Sequence, residues 1–435
     1  MPLLAAVLVF GLPALRQMGR GDATGVGIEA YRYRFERATR GSVTRALEQE
    51  IAFYQERVAR DPRGGLDLAS LGATYLRMAR ATGDISWYLL AERAARRSIA
   101  NLPFSNDAAV LVLAKVAEAR HDFNEALRLA GQVSSAEDAL AILVSANLAA
   151  GNIDAADRAA EAMVQRAPTL GSLTLRALVH SARGKDDEAV ADFDRAIAAE
   201  EPGETGGSAL ARTLLGRLHA RRGRLDLARS LYGEALRILP QYPLALIQLA
   251  ELDARTGAYR SAERLLAQVV TISASPNTYD HAVLRGLGRL KLLQNDRAAA
   301  HDLWDQAETR LRKDVAEGAF GHRRELAHLL LERGRPGHAK EAVTLMRAEV
   351  QIRRDAQTMS ILAWALSVNG RPAEAQAAMR EALRWGVRDA ALLYQAGLIE
   401  ASLGNKTQAQ GYFRSASSID PTFDERARRA LGIGL

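Results

Sequence analysis

The 435-residue chain is 48% hydrophobic and 25% charged, with no cysteine. That balance fits a folded globular or repeat protein and excludes disulfide scaffolds, thiolate metal sites and cysteine nucleophiles. Aromatics make up only 6%, while alanine, leucine and arginine abound, which favours closely packed helices over strands. A net charge of +7, carried by 52 Arg and six Lys, suits acidic proteins, anionic lipid or nucleic acid as partners without choosing among them.

The chain opens on an uncharged apolar stretch, residues 2–15 (PLLAAVLVFGLPAL). As a helix it would reach roughly 21 Å, short of a hydrocarbon core of roughly 30 Å, and it suits the apolar part of an export signal better than a membrane span. No basic residue precedes it, and Arg16 and Arg20 follow it. Residues 1–27 are therefore expected to be a hydrophobic export or anchor segment with a glycine-rich linker. That gives membrane contact through residues 2–15, the alternative being a packed N-terminus on a cytoplasmic protein.

Residues 28–65 are expected to form N-terminal capping helices. Tyr31–Arg40 (YRYRFERATR) alternates aromatics with arginine, which suits a solvated helix face better than a lipid headgroup surface. In Val43–Arg60, the residues Val43, Leu47, Ile51, Tyr54 and Val58 fall on one helical face, and Asp61-Pro62 ends the run.

From Leu66 onward the sequence repeats. A helix ends at a turn, usually at glycine. An alanine follows five residues later inside a second helix, and apolar residues follow four and seven positions after that. Gly151…Ala156…Ala160…Met163, Gly223…Ala228…Tyr232…Ala235 and Gly404…Ala409…Phe413…Ala416 are clear copies. The aligned alanines are Ala91, Ala126, Ala156, Ala189, Ala228, Ala262, Ala300, Ala339, Ala375 and Ala409, about 35 residues apart on average. Glycine accepts the left-handed turn, alanine lets two antiparallel helices approach, and the following residues fill the gap to the next pair. One such pair cannot bury its own apolar face, so pairs must stack.

These residues, with Leu71-Gly72…Tyr75 and the fillers Trp304 and Trp364, resemble the tetratricopeptide repeat family from Leu66 to Pro421, and in particular its long bacterial members of unassigned function. The resemblance implies an all-α fold: a right-handed α-solenoid of about ten helix pairs over residues 66–421, with capping helices at both ends and a C-terminal cap over residues 422–435. Expected departures are an insertion around Arg80–Trp87, an interrupting loop at Glu201–Ser208 and less regular units around Ala300 and Ala339.

Little in the sequence carries chemistry. His322, Glu325 and His328 have a faint metal-ligand look, but their i, i+3, i+6 spacing spreads them over too wide an arc. Gly404-Asn405-Lys406-Thr407 lacks the leading glycine and strand of a phosphate loop, and Gly286-Leu287-Gly288 falls inside a helix. No cofactor or metal site is expected, and no catalytic constellation.

The resemblance further implies that the first helix of each pair lines the concave wall. Projected onto that wall are Arg217, Arg221, Arg255, Arg285, Arg289, Arg324 and His328, interrupted by Glu251 and Glu332, with Trp364 and Tyr394 beyond them. A basic centre with an aromatic end suits an extended acidic peptide, because guanidinium grips carboxylate with two parallel hydrogen bonds. The expected function is a non-catalytic protein-interaction scaffold at a bacterial cell envelope. The alternative is a nucleic-acid-binding solenoid, disfavoured because stacking aromatics are sparse along the basic stretch.

Overall fold

A computed structural model of the protein describes residues 29–134, 136–272, 277–317 and 322–433. The expected export or anchor segment (1–27) and the Gly318–Gly321 junction lie outside them. Among the described residues are 22 helices and no strand, only an isolated bridge between Asp84 and Asn277. No described helix is long and apolar enough to cross a membrane.

Helix α1 (Ser42–Arg60) is followed by ten antiparallel pairs: α2 (Gly65–Thr82) with α3 (Ile85–Asn101), α4 (Asp107–Ala119) with α5 (Phe123–Ala130), α6 (Ala136–Ala150) with α7 (Ile153–Arg166), and α8 (Leu170–Ala182) with α9 (Asp186–Ala198). Next come α10 (Thr205–Arg221) with α11 (Leu225–Ile238), α12 (Pro243–Thr256) with α13 (Tyr259–Val270), and α14 (Asp280–Leu293) with α15 (Arg297–Glu317). The last are α16 (Arg323–Arg333) with α17 (His338–Glu349), α18 (Ala356–Val368) with α19 (Pro372–Leu383), and α20 (Ala390–Ser402) with α21 (Lys406–Ile419). A short α22 (Glu425–Ala430) ends the series. The chain is thus an all-α solenoid of ten pairs with a cap at each end.

The alanine rule explains how each pair closes. Nine of the ten anchoring alanines are buried, and most are wholly inaccessible. The exception is Ala339. Its role belongs to Ala342, five residues after Gly337, because the turn Gly334–Gly337 is three residues longer than its counterparts. In three of the four pairs whose second helix carries an aromatic four residues past its alanine, the first helix answers with glycine; the fourth, Phe193, faces Ala177 instead. A Cβ on Gly216, Gly288 or Gly397 would stand 2.5, 2.4 or 2.4 Å from Tyr232, Trp304 or Phe413. The left-handed turn position is held by His121 (φ 61°) and Asn295 (φ 66°) where glycine is missing, and Asn295 is a residue type that tolerates it.

The ends depart from expectation. Helix α1 packs Leu47 and Ile51 into the first core as predicted. Tyr31–Arg40, however, is not helical, and its tyrosines turn inward while its arginines stay exposed. The Tyr31 hydroxyl donates to Asp194 at 3.0 Å, and the Tyr33 amide donates to Glu234 at 3.0 Å. Arg212, wholly buried, bonds the Tyr31 carbonyl at 2.7 Å, pairs with buried Glu200 at 2.8 Å and lies under the Tyr33 ring. The aromatic–arginine alternation thus serves a strap across α9–α11. Glu201–Ser208 is less of an interruption than its glycines suggest, since α10 already begins at Thr205.

The solenoid is wound so tightly that its turns touch. Each hairpin tip of the first five pairs meets the loop that follows the pair five further on. Gly83 receives the Thr278 amide (2.9 Å), the His121 ring meets His322, and Ala149, ahead of Gly151, receives the Arg354 amide (2.8 Å). Gly184 abuts Gly386, and Gly223 abuts Asp420 and Pro421. Helix α22 folds back onto α12 and α14. Ten pairs therefore close into a coil with an enclosed interior rather than an open spring.

Candidate functional site

The interior wall is built from the first helices of the later pairs. Arg217 and Arg221 lie one turn apart on α10, Arg255 on α12, Arg285 and Arg289 one turn apart on α14, Arg324 and His328 one turn apart on α16, Trp364 on α18 and Tyr394 on α20. Helical spacing puts each pair on one face, and the coil brings the faces together.

Five of these side chains are already partnered. Arg289 is buried and ion-paired with Glu332, which is wholly inaccessible. Arg255 bonds Asp420 and the Ala220 carbonyl at 3.1 Å. Arg324 takes Glu325 at 2.7 Å, with Asp355 at 3.6 Å. Arg285 donates to His328 Nδ1 at 3.1 Å, which requires the tautomer whose Nε2–H faces Glu332, 3.1 Å away. Burial, reinforced by Arg285, Arg289 and Arg324, holds the His328 imidazole well below the ordinary histidine range, so it is neutral. Its ring meets Trp364 edge-on at 5.6 Å. Tyr394 lies under the Arg428 guanidinium, 4.8 Å away, so the C-terminal cap covers it. His322, at the other end of the stretch with the faint metal-ligand look, bonds Asp314 at 2.9 Å.

Arg217 and Arg221 differ from the rest. Neither has a carboxylate within ion-pair distance among the described residues; Arg221 donates only to Ser181 Oγ, at 2.8 Å. Arg217 is exposed, but to the coil interior, where it is surrounded by protein. Burial, then the neighbouring Arg221, lowers its affinity for its proton. Both line a 440 Å³ cavity with Arg285, Glu251, Gln248 and Gln357, closed on one side by Leu431 and Ile433 beyond α22. Both also line an adjoining 380 Å³ cavity that runs to Trp385. The volumes fall within the range of roughly 300–1,000 Å³ that ligand sites occupy.

Two features of the interior escaped the sequence. Trp385, in the α19–α20 loop, inserts into the α6–α8 core of the earlier turn. The only signal was a tryptophan in an otherwise polar linker. The C-terminal cap also lines the cavity, a role foreshadowed only by Leu431 and Ile433 flanking Gly432.

Family models described as Tetratricopeptide repeat match residues 169–241, 219–274 and 362–422, which fall within the pairs from α8 to α13 and from α18 to α21. Those segments carry tetratricopeptide repeats. This repeat protein has no match among curated protein sequences. Among solved structures it is similar to a human IFIT1 dimer with PPP-AAAA (14% identity, 81% of this chain and 72% of that one, TM-score 0.40). It is also similar to yeast Tom70 (11% identity, 90% and 92%, TM-score 0.40). Both likenesses are distant.

Proposed function

We propose that this repeat protein is a non-catalytic scaffold that draws an extended acidic segment of a protein partner into its coil, with Arg217 and Arg221 as the receiving cations. The observation that carries the proposal is that neither guanidinium has a carboxylate within ion-pair distance among the described residues, in a cavity where Arg255 and Asp420 pair with each other and Glu251 acts on Arg217 only from beyond that distance. Two neighbouring cations in a partly desolvated space repel each other, and an incoming carboxylate relieves both the repulsion and the lost hydration. The guanidinium fork matches carboxylate geometry, and Gln248 and Gln357 offer amides to a peptide backbone. The apolar stretch 2–15 supports tethering at a cell envelope, where the basic surface would sit beside anionic lipid.

The test is a fluorescence-anisotropy titration of a glutamate-rich peptide, a neutral peptide of the same length and a random oligonucleotide against wild type and Arg217→Gln/Arg221→Gln. The expected order is tight, weak and weak, with the double variant losing the acidic peptide alone. Oligonucleotide binding that exceeds peptide binding and falls steeply with salt would replace the peptide reading with nucleic acid. Fractionation of full-length protein against a form starting at residue 28 tests the tether: the full-length form is expected with the membranes and the shorter form in the supernatant.

A further inference from the structure

The 380 Å³ cavity lies where the two turns of the coil meet, and its walls are unlike those of the larger one. Leu148, Ile153 and Leu178 come from the earlier turn, Leu218 from α10, and Trp385 and Val387 from the later turn. Three other charged groups line it besides Arg217 and Arg221: Arg354, Glu381 and Asp355. Arg354 and Glu381 neutralise each other at 2.6 Å, and Asp355 is taken by Arg353 at 3.1 Å and Arg324 at 3.6 Å. The balance is two guanidiniums beside an apolar chamber with no carboxylate within ion-pair distance among the described residues, Asp186 and Glu251 acting on them only from farther off. Two buried donors there lack an acceptor among the described residues, Arg221 Nε and Trp385 Nε1. A buried donor left unbonded is costly, so such atoms mark a place where an acceptor belongs. Trp385 is held firmly, with Arg183 over its ring at 5.5 Å and Arg384 at 5.1 Å.

We infer that this cavity is a binding site for a small amphipathic anion, an apolar chain ending in a carboxylate. The chain would fill the leucine-lined chamber, and the carboxylate would accept from Arg217, Arg221 and the Trp385 indole. A free medium-chain fatty acid and the C-terminal residue of a peptide with an apolar side chain share this chemistry. The inference rests on the same two arginines as the proposed peptide groove, but it also requires the apolar walls and Trp385, which the groove does not use.

The experiment is calorimetric titration of the full chain with octanoate, octanol, acetate and N-acetyl-leucyl-leucine. Octanoate is expected to bind at one site, at least tenfold more tightly than octanol or acetate, because head and tail are both needed. Arg217→Gln/Arg221→Gln should weaken octanoate at least tenfold, Trp385→Phe several-fold, and Leu178→Trp, which fills the chamber, should abolish binding. Should Leu178→Trp fail to fold, Leu148→Phe fills the same wall with a smaller change. Tighter binding of the dipeptide than of octanoate assigns the site to a peptide end, and the reverse assigns it to a free acid; either supports the site. Equal binding of octanoate and octanol, or octanoate binding indifferent to these variants, overturns it. Failure of octanoate while the glutamate-rich peptide still binds removes this site alone; failure of both on wild type removes the reading of Arg217 and Arg221 as well.

Discussion

The side-chain amide of Asn277 donates to the main-chain carbonyl of Thr82 at 2.7 Å, although the two residues are 195 positions apart. The bond joins the first hairpin tip to the loop after the sixth pair, and both Asn277 and Thr82 are buried. Asn277→Ala should leave that carbonyl buried and unbonded at a cost of about 1–3 kcal/mol. Chemical denaturation of wild type and variant should show the shift in midpoint.

The glycines at the hairpin tips separate backbone strain from contact between turns. Gly184 and Gly404 both have positive φ, 68° and 81°. A Cβ on Gly184 would stand 1.9 Å from the Gly386 carbonyl oxygen, whereas nothing lies within 4 Å of one on Gly404. Gly404→Ala should cost only the left-handed penalty, about 1–2 kcal/mol. Gly184→Ala should cost more and push the turns apart, visible as a larger radius of gyration by small-angle scattering.

Two arginines on the same wall should behave oppositely. Arg289→Ala leaves the buried Glu332 carboxylate with only the His328 N–H at 3.1 Å and Arg285 at 3.9 Å, and should destabilise toward the lower end of about 3–5 kcal/mol. Arg217→Ala removes a cation that has no ion-pair partner and should change stability by no more than about 0.5 kcal/mol. Thermal melts distinguish the two, and only the Arg217 variant is then suitable for binding assays.

Acid should weaken the fold through buried histidine. His219 is buried with neither ring nitrogen bonded among the described residues, and burial followed by Arg224 and Arg222 pushes it down to about 4. In the unfolded chain it protonates near 6.5. Between those values the unfolded chain holds a proton that the folded chain does not. Stability is therefore full above about pH 6.5 and falls by about 1.4 kcal/mol per pH unit for this group as pH drops toward 4. Stability from urea unfolding should fall as pH drops from 7.5 to 4.5, with His281 and His328 adding to the slope, and His219→Leu should flatten it by about one proton.

The pairs were legible because each needs a local pattern, an alanine at the closest approach and a turn five residues before it. The Ala339 slip shows the limit: Gly334 and Gly337 both look like the turn residue, and only packing decides that Ala342 faces the partner helix. The candidate arginines were legible as a helical face, since Arg217 and Arg221 recur at i, i+4. Their partners were only partly so. Glu332 could be read as interrupting the wall, but Asp420 reaches Arg255 across 165 residues, and contacts of that span leave no periodic trace. The strap at Tyr31–Arg40 misled for a related reason: its arginines and tyrosines satisfy Asp194 and Ala198 about 163 residues away rather than a solvated helix face.

The closed coil is what gives the two arginines an enclosed space, and the cysteine-free chain allows a direct test of closure. Asp84 and Asn277 pair in an antiparallel bridge, so their Cα atoms stand within the span a disulfide needs, roughly 4.4–6.8 Å. Asp84→Cys/Asn277→Cys should form an intramolecular disulfide under mild oxidation, read as protection of both thiols from alkylation in the monomer. Two thiols that alkylate freely in the folded monomer would mean that the turns stand apart and the interior is open.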